Sequence, residues 1–500
     1  MSDKKEFGDY QTPLDFAEKI CNFLKEQKNL NPETIFEPTC GIGNFLKASM
    51  IFDAEKYFAV DINENYCKIC AENFSDKKII IWNENFFNFD SSIIPKENLL
   101  IIGNPPWALN SNIEKNLPTK NNYKNLKGID ALTGSSNFDI CEYIIKKIID
   151  DFRNTNTAIA MLCKISVAKN IFEYLFNNKI FFSCCEIFEF DAKKIFEISA
   201  NAGLLFINLT SQEIFSSICN IYKFDNPSVI KKSFGYKNEK FFGNLLLKTC
   251  DFDGKCCFEW RQGIKHDCAK IMELTFDDGI FKNGNDEIID VDEETIYPLI
   301  KGSMIKSPII NSFSKYVIVT QKFLGEDTSH LEFDAPKTWK YLKKNLIFFE
   351  KRESKIYKNS AEFSMFGIGD YSFLPYKVCI GGFNKKSFFS LVYSPNKKII
   401  MPDDTTYFIG FEDYELAYTA MIYLNTEKVQ DFLKRLSFSD TKRPFTKKIL
   451  SRIDFSKICD EISFEEFVLT EKKLNLENNF RKSFLEKFFN LVKPSEQKLF

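Results

Sequence analysis

The sequence predicts an α/β fold, a Rossmann-like and mostly parallel seven-stranded sheet over residues 1–210, followed by a mixed α+β module over residues 211–500. Three observations carry this. Leu99 to Trp107 reads LLIIGNPPW, four aliphatics and Gly103, the pattern of a buried parallel strand that ends in a tight loop. Before and after it, short apolar runs alternate with helical patterns, as a parallel sheet requires. Beyond Thr210 that alternation is lost and turns gather at Pro298, Pro308, Pro375, Gly381, Gly382 and Pro402. A chain of 500 residues also exceeds what one core usually organises.

Tyr10 to Pro13 precedes an amphipathic helix carried by Leu14, Phe16, Ile20, Phe23 and Leu24, with Pro13 suited to the first turn. Thr34–Phe36 is a short strand, and the loop after it, Glu37 to Phe45 (EPTCGIGNF), holds Gly41 and Gly43, which permit close backbone approach to a ligand. Tyr57–Val60 is the next strand and ends in Asp61, about twenty residues after the glycines, where an acidic side chain commonly takes ribose hydroxyls. Ile79–Trp82, followed by Asn85 and Phe86, and Leu99–Ile102 are the third and fourth strands. Asn110–Asn137 reads as a long polar loop beside the site. The helix Phe138–Phe152, the strand Thr157–Cys163, the helix Ser166–Asn177 and the strands Cys185–Phe190 and Gly203–Leu209 complete the first domain.

Composition excludes several classes. A net charge of −2 gives no global signature of a nucleic-acid binder, but its distribution is uneven. Residues 251–300 carry 5 basic and 13 acidic side chains, whereas residues 301–400 carry 17 and 8, so the second module contains a basic segment fit to face phosphates. The 15 cysteines are scattered and Met1–Phe7 is polar, which predicts reduced thiols, no secretory leader and a cytoplasmic setting. Cys67 and Cys70 have CxxC spacing without a second pair, and His266 and His330 are the only imidazoles, so no metal is expected. No apolar run reaches the ~18 residues needed to span a bilayer.

The chemistry concentrates in Asn104, Pro105, Pro106 and Trp107. Two adjoining prolines fix φ and lack backbone donors, so neighbouring carbonyls stay free to accept. The Asn104 amide oxygen and the Pro105 carbonyl together suit one NH2 group, and Trp107 offers a flat face for a ring. At these residues the chain resembles the amino-group DNA methyltransferases, whose loop reads Asn/Asp/Ser-Pro-Pro followed by an aromatic residue, most often Tyr or Phe where this chain has Trp107.

Over residues 8–210 the order of motifs resembles the gamma class of N6-adenine DNA methyltransferases, found in type II restriction-modification systems. The resemblance implies S-adenosylmethionine as cofactor. It places Tyr10, Gln11, Thr12 and Pro13 in the N-terminal cofactor motif, and Glu37, Pro38, Thr39, Cys40, Gly41 and Gly43 in the glycine loop. Asp61 with Ile62 would bind the ribose end, Asn85 and Phe86 the adenine, and Asn104 would also border the cofactor. Asn85 stands where many relatives carry Asp. In Ala192–Ile207 (AKKIFEISANAGLLFI), Phe196 matches the aromatic residue that packs on the second face of a flipped base.

Adenine N6 is a poor nucleophile because its lone pair is delocalised into the ring, and hydrogen bonds to Asn104 and Pro105 would localise that pair toward the methyl donor. The chain has no Pro-Cys dipeptide, the element a cytosine-C5 enzyme needs. Stacking on Trp107 and Phe196, ~1–3 kcal/mol per base, would offset the few kcal/mol of base flipping. In the second module Trp260–Asp267, Tyr297–Gly302 and Asp440–Thr446 resemble target-recognition segments, with Arg261, Lys265, Lys301, Arg352 and Arg443 as candidates for phosphate or guanine contacts in double-stranded DNA. No nuclease motif is found, so a cognate endonuclease would be a separate chain. The alternatives are a methyltransferase for cytosine N4, RNA or protein glutamine, and a non-catalytic DNA-binding specificity protein.

Overall fold

The computed structural model describes residues 10–74, 78–107, 139–396, 398–476 and 482–493. The chain divides into two units, Met1–Leu246 and Leu247–Phe500. The segments 1–9 and 108–138, and with them the expected loop Asn110–Asn137, lie outside the described residues.

In the first unit, α1 (Leu14–Gln27) buries Phe16, Ile20, Phe23 and Leu24 at helical spacing. It is followed by β1 (Thr34–Glu37), α2 (Asn44–Ser49), β2 (Lys56–Asp61), α3 (Glu64–Glu72), β3 (Ile79–Asn83) and β4 (Leu99–Gly103). Every residue of β1 and β4 is buried, as expected of strands covered on both faces. Then come α4 (Ile140–Phe152), β5 (Thr157–Lys164), α5 (Ile165–Asn177), β6 (Phe182–Asp191), α6 (Ala192–Phe196) and β7 (Asn201–Leu209). Asp139 caps α4 by accepting from Cys141 N (3.2 Å).

The strand order is β3-β2-β1-β4-β5-β7-β6, parallel from β3 to β5, with β7 running antiparallel to both β5 and β6. The order reverses between β1 and β4, and their register sets Phe36 against Ile101, so the loops leaving Glu37 and Gly103 start side by side. That crevice outside the strand ends is where open α/β sheets bind ligands.

Two expectations are corrected. The sheet has ten strands, not seven, because β8 (Ile218–Lys223) pairs in parallel with β6, and β9 (Asn226–Lys237) and β10 (Lys240–Phe242) follow as antiparallel hairpins. The first unit accordingly runs to Leu246 and does not end near Thr210. β8 thus covers the edge of β6 that β7 does not, an edge that would otherwise be left unpaired.

The second unit holds two five-stranded sheets. One is ordered Arg261–Gln262, Thr406–Phe411, Tyr376–Gly381, Phe389–Val392, Ile309–Ile310, and the other Ile280–Lys282, Glu273–Asp277, Lys315–Ile318, Ile296–Ile300, Met401–Pro402. The helices Tyr414–Asn425, Glu427–Leu436, Phe455–Glu461, Phe464–Lys473 and Lys482–Val492 end the unit. No helix among the described residues is long and apolar enough to cross a membrane.

Candidate active site

At the end of β4 the NPPW loop is fixed by its neighbours. Asn104 Nδ2 donates to the Tyr10 carbonyl (2.8 Å), which settles the amide orientation and leaves Oδ1 as the acceptor. That oxygen is buried and has no hydrogen-bond partner among the described residues. Trp107 is buried, with Nε1 donating to the Leu162 carbonyl (3.4 Å). Its ring meets Phe196 edge-to-face, centroids 5.5 Å apart at 66°, and lies 6.4 Å from Tyr10. The structure therefore brings Trp107 and Phe196 together, although not as two parallel walls. Rings in edge contact leave no room for a third ring between them, so a base admitted there must displace one. Phe196 is the last residue of a five-residue helix with Glu197 left-handed behind it (φ 60°), and it also packs against Phe16 and Phe190.

The glycine loop stands next to it. Gly41 (φ 52°) and Gly43 (φ 86°) are both left-handed. A Cβ at Gly41 would lie 2.4 Å from Gln11 Oε1, and one at Gly43 2.5 Å from Cys70 Sγ. Gly41 N donates to Asp61 Oδ2 and Asn63 N to Asp61 Oδ1, each at 2.8 Å, which locks the acid at the end of β2. Glu37 is buried and accepts from Leu46 N (3.2 Å), and burial pushes its carboxyl well above the ordinary range. Thr12 and Thr39 each place a buried hydroxyl without a partner among the described residues beside this loop.

Residues 10–13 join the two loops. Besides the Tyr10 bond to Asn104, Gln11 Oε1 accepts from Ile42 N (3.3 Å), and the Thr12 carbonyl accepts from Asn44 Nδ2 (2.8 Å). Pro13 starts α1, its carbonyl accepting from Phe16 N and Ala17 N. Pro38 and Cys40 are buried within the loop, Cys40 N donating to the Val60 carbonyl (3.0 Å).

The adenine candidates separate. Ile62 is 53% exposed beside Asp61, whereas Phe86 is 4% exposed and packs with Phe36 and Phe89, so Phe86 offers at most an edge. Asn85 closes the turn after β3, its Oδ1 accepting from Phe87 N (3.0 Å). Asn44 and the pair Asp139–Lys164 (2.6 Å) were missed by sequence reasoning. Asn44 directly follows the glycines, the one signal that pointed to it. Lys164 closes β5, whose Met161 is set by register against Gly103 of β4.

In the second unit the five basic candidates all have intramolecular contacts. Arg261 contacts Glu259 and the Tyr371 ring, Lys265 pairs with Asp267, and Lys301 with Glu273. Arg352 stacks on Tyr357 and donates to the carbonyls of His266, Glu362 and Ser364. Arg443 lies over Phe383 and against Asp404. None of the cysteines is in a disulfide, and no group of metal-ligating side chains occurs among the described residues.

No family model matches the chain. It is 41% identical over 475 residues to Type II methyltransferase M.NspV of Nostoc sp. (strain ATCC 29411 / PCC 7524), covering 92% of this chain and 98% of the relative. It is 25% identical over 114 residues to Modification methylase CviBIII of Paramecium bursaria Chlorella virus NC1A, 23% of this chain and 29% of that one. Among solved structures it is similar to the Type IIL restriction-modification enzyme MmeI in complex with DNA, with a TM-score of 0.52 and 15% identity over 96% of this chain and 72% of that one, a likeness of fold. The reversed strand β7, the glycine loop and the acid ending β2, taken with these relatives, define an S-adenosylmethionine-dependent methyltransferase. The chain belongs to the Type II methyltransferases. The residues present fit the cofactor, since the Thr12 and Thr39 hydroxyls, buried and without a partner among the described residues, lie on the segments around the glycine loop.

Proposed function

We propose that the chain methylates adenine N6 at a specific sequence in double-stranded DNA, as the modification component of a restriction-modification system whose endonuclease is a separate chain. The buried, unpartnered Asn104 Oδ1 carries this reading. A buried carbonyl oxygen without a donor costs about 1–3 kcal/mol, and that cost is recovered when an NH2 group arrives. The Pro105 carbonyl supplies the second acceptor. Together they accept one amino hydrogen each, drawing the hydrogens out of the ring plane so that the nitrogen becomes pyramidal and its lone pair is localised toward the methyl donor.

Bound S-adenosylmethionine supplies a sulfonium-activated methyl group. Asp61, held by Gly41 N and Asn63 N, takes the ribose hydroxyls, and exposed Ile62 covers the adenine. The Thr12 and Thr39 hydroxyls and the flat glycine loop hold the methionine end. Trp107, anchored through Nε1, and Phe196 are the two walls offered to the flipped base. The first unit does the chemistry and the second reads the sequence, which the net-positive stretch 301–400 supports.

The test is direct. The full chain is incubated with unmethylated DNA and cofactor, the DNA is digested to nucleosides, and the products are separated by mass. N6-methyldeoxyadenosine is expected. N4-methyldeoxycytidine, or no methylated nucleoside, overturns the proposal.

A further inference from the structure

Three segments far apart in sequence converge on one corner of the second unit. There the strand Met401–Pro402 of one sheet turns through residues 403–405 into the strand Thr406–Phe411 of the other. From the first segment, Gln262 Nε2 donates to the Asp404 carbonyl (2.6 Å), Gly263 N to the Thr406 carbonyl (3.0 Å) and Ile264 N to the Pro402 carbonyl (2.8 Å). From the second, Gly302 N donates to Thr405 Oγ1 (2.9 Å), and the Ile300 carbonyl accepts from Asp403 N (2.9 Å). A Cβ at Gly263 would stand 2.2 Å from the Pro402 carbonyl oxygen, and one at Gly302 2.6 Å from that of Thr405, so neither approach tolerates another residue. Asp403 is buried and accepts from Thr405 N (3.1 Å), Thr405 Oγ1 (2.6 Å) and Thr406 Oγ1 (3.1 Å). The corner is thus rigid, and its aspartate is consumed inside it.

The third segment brings Arg443 onto this corner. Its Nη1 donates to the Asp404 carbonyl (3.1 Å), Nη2 stands 3.7 Å from Asp404 Oδ2, and its Cζ lies 4.4 Å from the centre of the Phe383 ring. Phe383 follows Gly381 and Gly382 and is 37% exposed, and Lys442 Nζ approaches the same ring (5.4 Å). Lys385 Nζ ties the Phe383 loop to the Arg443 loop by donating to the carbonyls of Ser439 (2.9 Å) and Thr441 (2.7 Å). The contrast with other arginines is instructive. Arg452 is spent on a two-pronged pair with Asp253 (3.0 and 2.9 Å), and Arg352 on three backbone carbonyls. Arg443 is instead stacked and oriented on a half-exposed surface, with its carboxylate partner at long range.

We propose that Arg443 reads a guanine of the target sequence through its fork on O6 and N7, with Phe383 and Asp404 as positioning residues that set the plane of the guanidinium. This rests on the reading of the chain as a DNA methyltransferase. A phosphate contact asks only for a nearby charge, which Lys442 supplies. Base reading asks for a planar donor pair in fixed orientation, and ring stacking with a carbonyl tether provides it.

The experiment maps methylated sites on DNA of diverse sequence for the full chain and for Arg443→Lys and Phe383→Ala, with cofactor affinity and melting temperature recorded for each. The wild type is expected to require a guanine in its site. Arg443→Lys should lower the preference for guanine at one position by about ten- to a hundred-fold, with cofactor binding kept. Phe383→Ala should relax the same position and Phe383→Tyr should restore it, a pattern that mere loss of folding does not produce. A recognised site without guanine, an unchanged site in both variants, or uniformly weaker methylation of all sites overturns the proposal. If the wild type methylates no DNA, the broader reading fails before the variants are compared.

Discussion

Asn104→Ala separates packing from chemistry at the NPPW loop. The substitution removes two things of different size. One is the Nδ2 bond to the Tyr10 carbonyl, a neutral hydrogen bond worth about 1 kcal/mol to stability. The other is Oδ1, which has no partner among the described residues and on the proposed reading contributes when the target amino group is present. Removing one preorganised group that acts on developing charge costs about 2.7–4 kcal/mol, or roughly 10²–10³ in the chemical step. The variant should therefore fold, bind cofactor within a few-fold of wild type, and transfer methyl groups two to three orders of magnitude more slowly in single-turnover assays. Asn104→Asp reverses the balance. It keeps an acceptor but turns a carboxylate toward the Tyr10 carbonyl, so it should lose more stability and cofactor affinity than the alanine variant and less of the chemical rate. Single-turnover transfer by Asn104→Ala at near wild-type rate would refute the assignment.

Asp61→Ala frees Gly41 N and Asn63 N together, and calorimetry should show cofactor affinity reduced at least tenfold, with unchanged affinity removing Asp61 from the site. Gly43→Ala places a Cβ 2.5 Å from Cys70 Sγ at φ 86°, so cofactor binding should fall sharply, and Cys70→Ala in the same chain should recover part of it by making room. Lys377 is fully buried in the strand Tyr376–Gly381, and burial pushes its ammonium down to about 7. Its folded form is neutral above that pH while the unfolded form stays charged up to 10.5. Its contribution to stability should therefore rise with pH between 7 and 10.5, by at most about 1.4 kcal/mol per unit. Lys377→Met should flatten that rise in melting temperature, and an unaltered slope would show that the ammonium is not desolvated.

Much of the first unit was legible because its strands are short apolar runs between helical patterns. The Leu99–Ile102 strand expected from four aliphatics is β4, and Thr34–Phe36 lies within β1. The three extra strands were not legible because their turns lack the usual markers. Phe224–Asp225 joins β8 to β9, and Asn238–Glu239 joins β9 to β10 with both residues left-handed (φ 49° and 62°), neither containing Gly or Pro. Phe86 shows a different limit. A phenylalanine after a strand can face a ligand or the core, and only packing decides, here against Phe36 and Phe89. In the second unit the motifs were visible singly, but the distance in sequence from Gln262 to Asp404 to Arg443 carries no sign that one corner gathers them.

The N-terminal motif gains a mechanical meaning from these contacts. Tyr10, Gln11 and Thr12 hold the NPPW loop, the glycine loop and Asn44 by three hydrogen bonds from consecutive residues. Each is worth about 1 kcal/mol alone, but three on one short segment form or break together, because placing one residue largely places the next. The two loops are then ordered by a single event. On the proposed reading, a cofactor resting on the glycine loop and on the Thr12 hydroxyl would stabilise this segment, and the segment would in turn orient Asn104. Binding of the methyl donor and readiness of the amide that receives the target amino group would on that reading be one equilibrium. A strap that precedes the glycine loop in sequence achieves this simply, since β1 lies next to β4 in the sheet and one extended stretch can reach the loops that leave both.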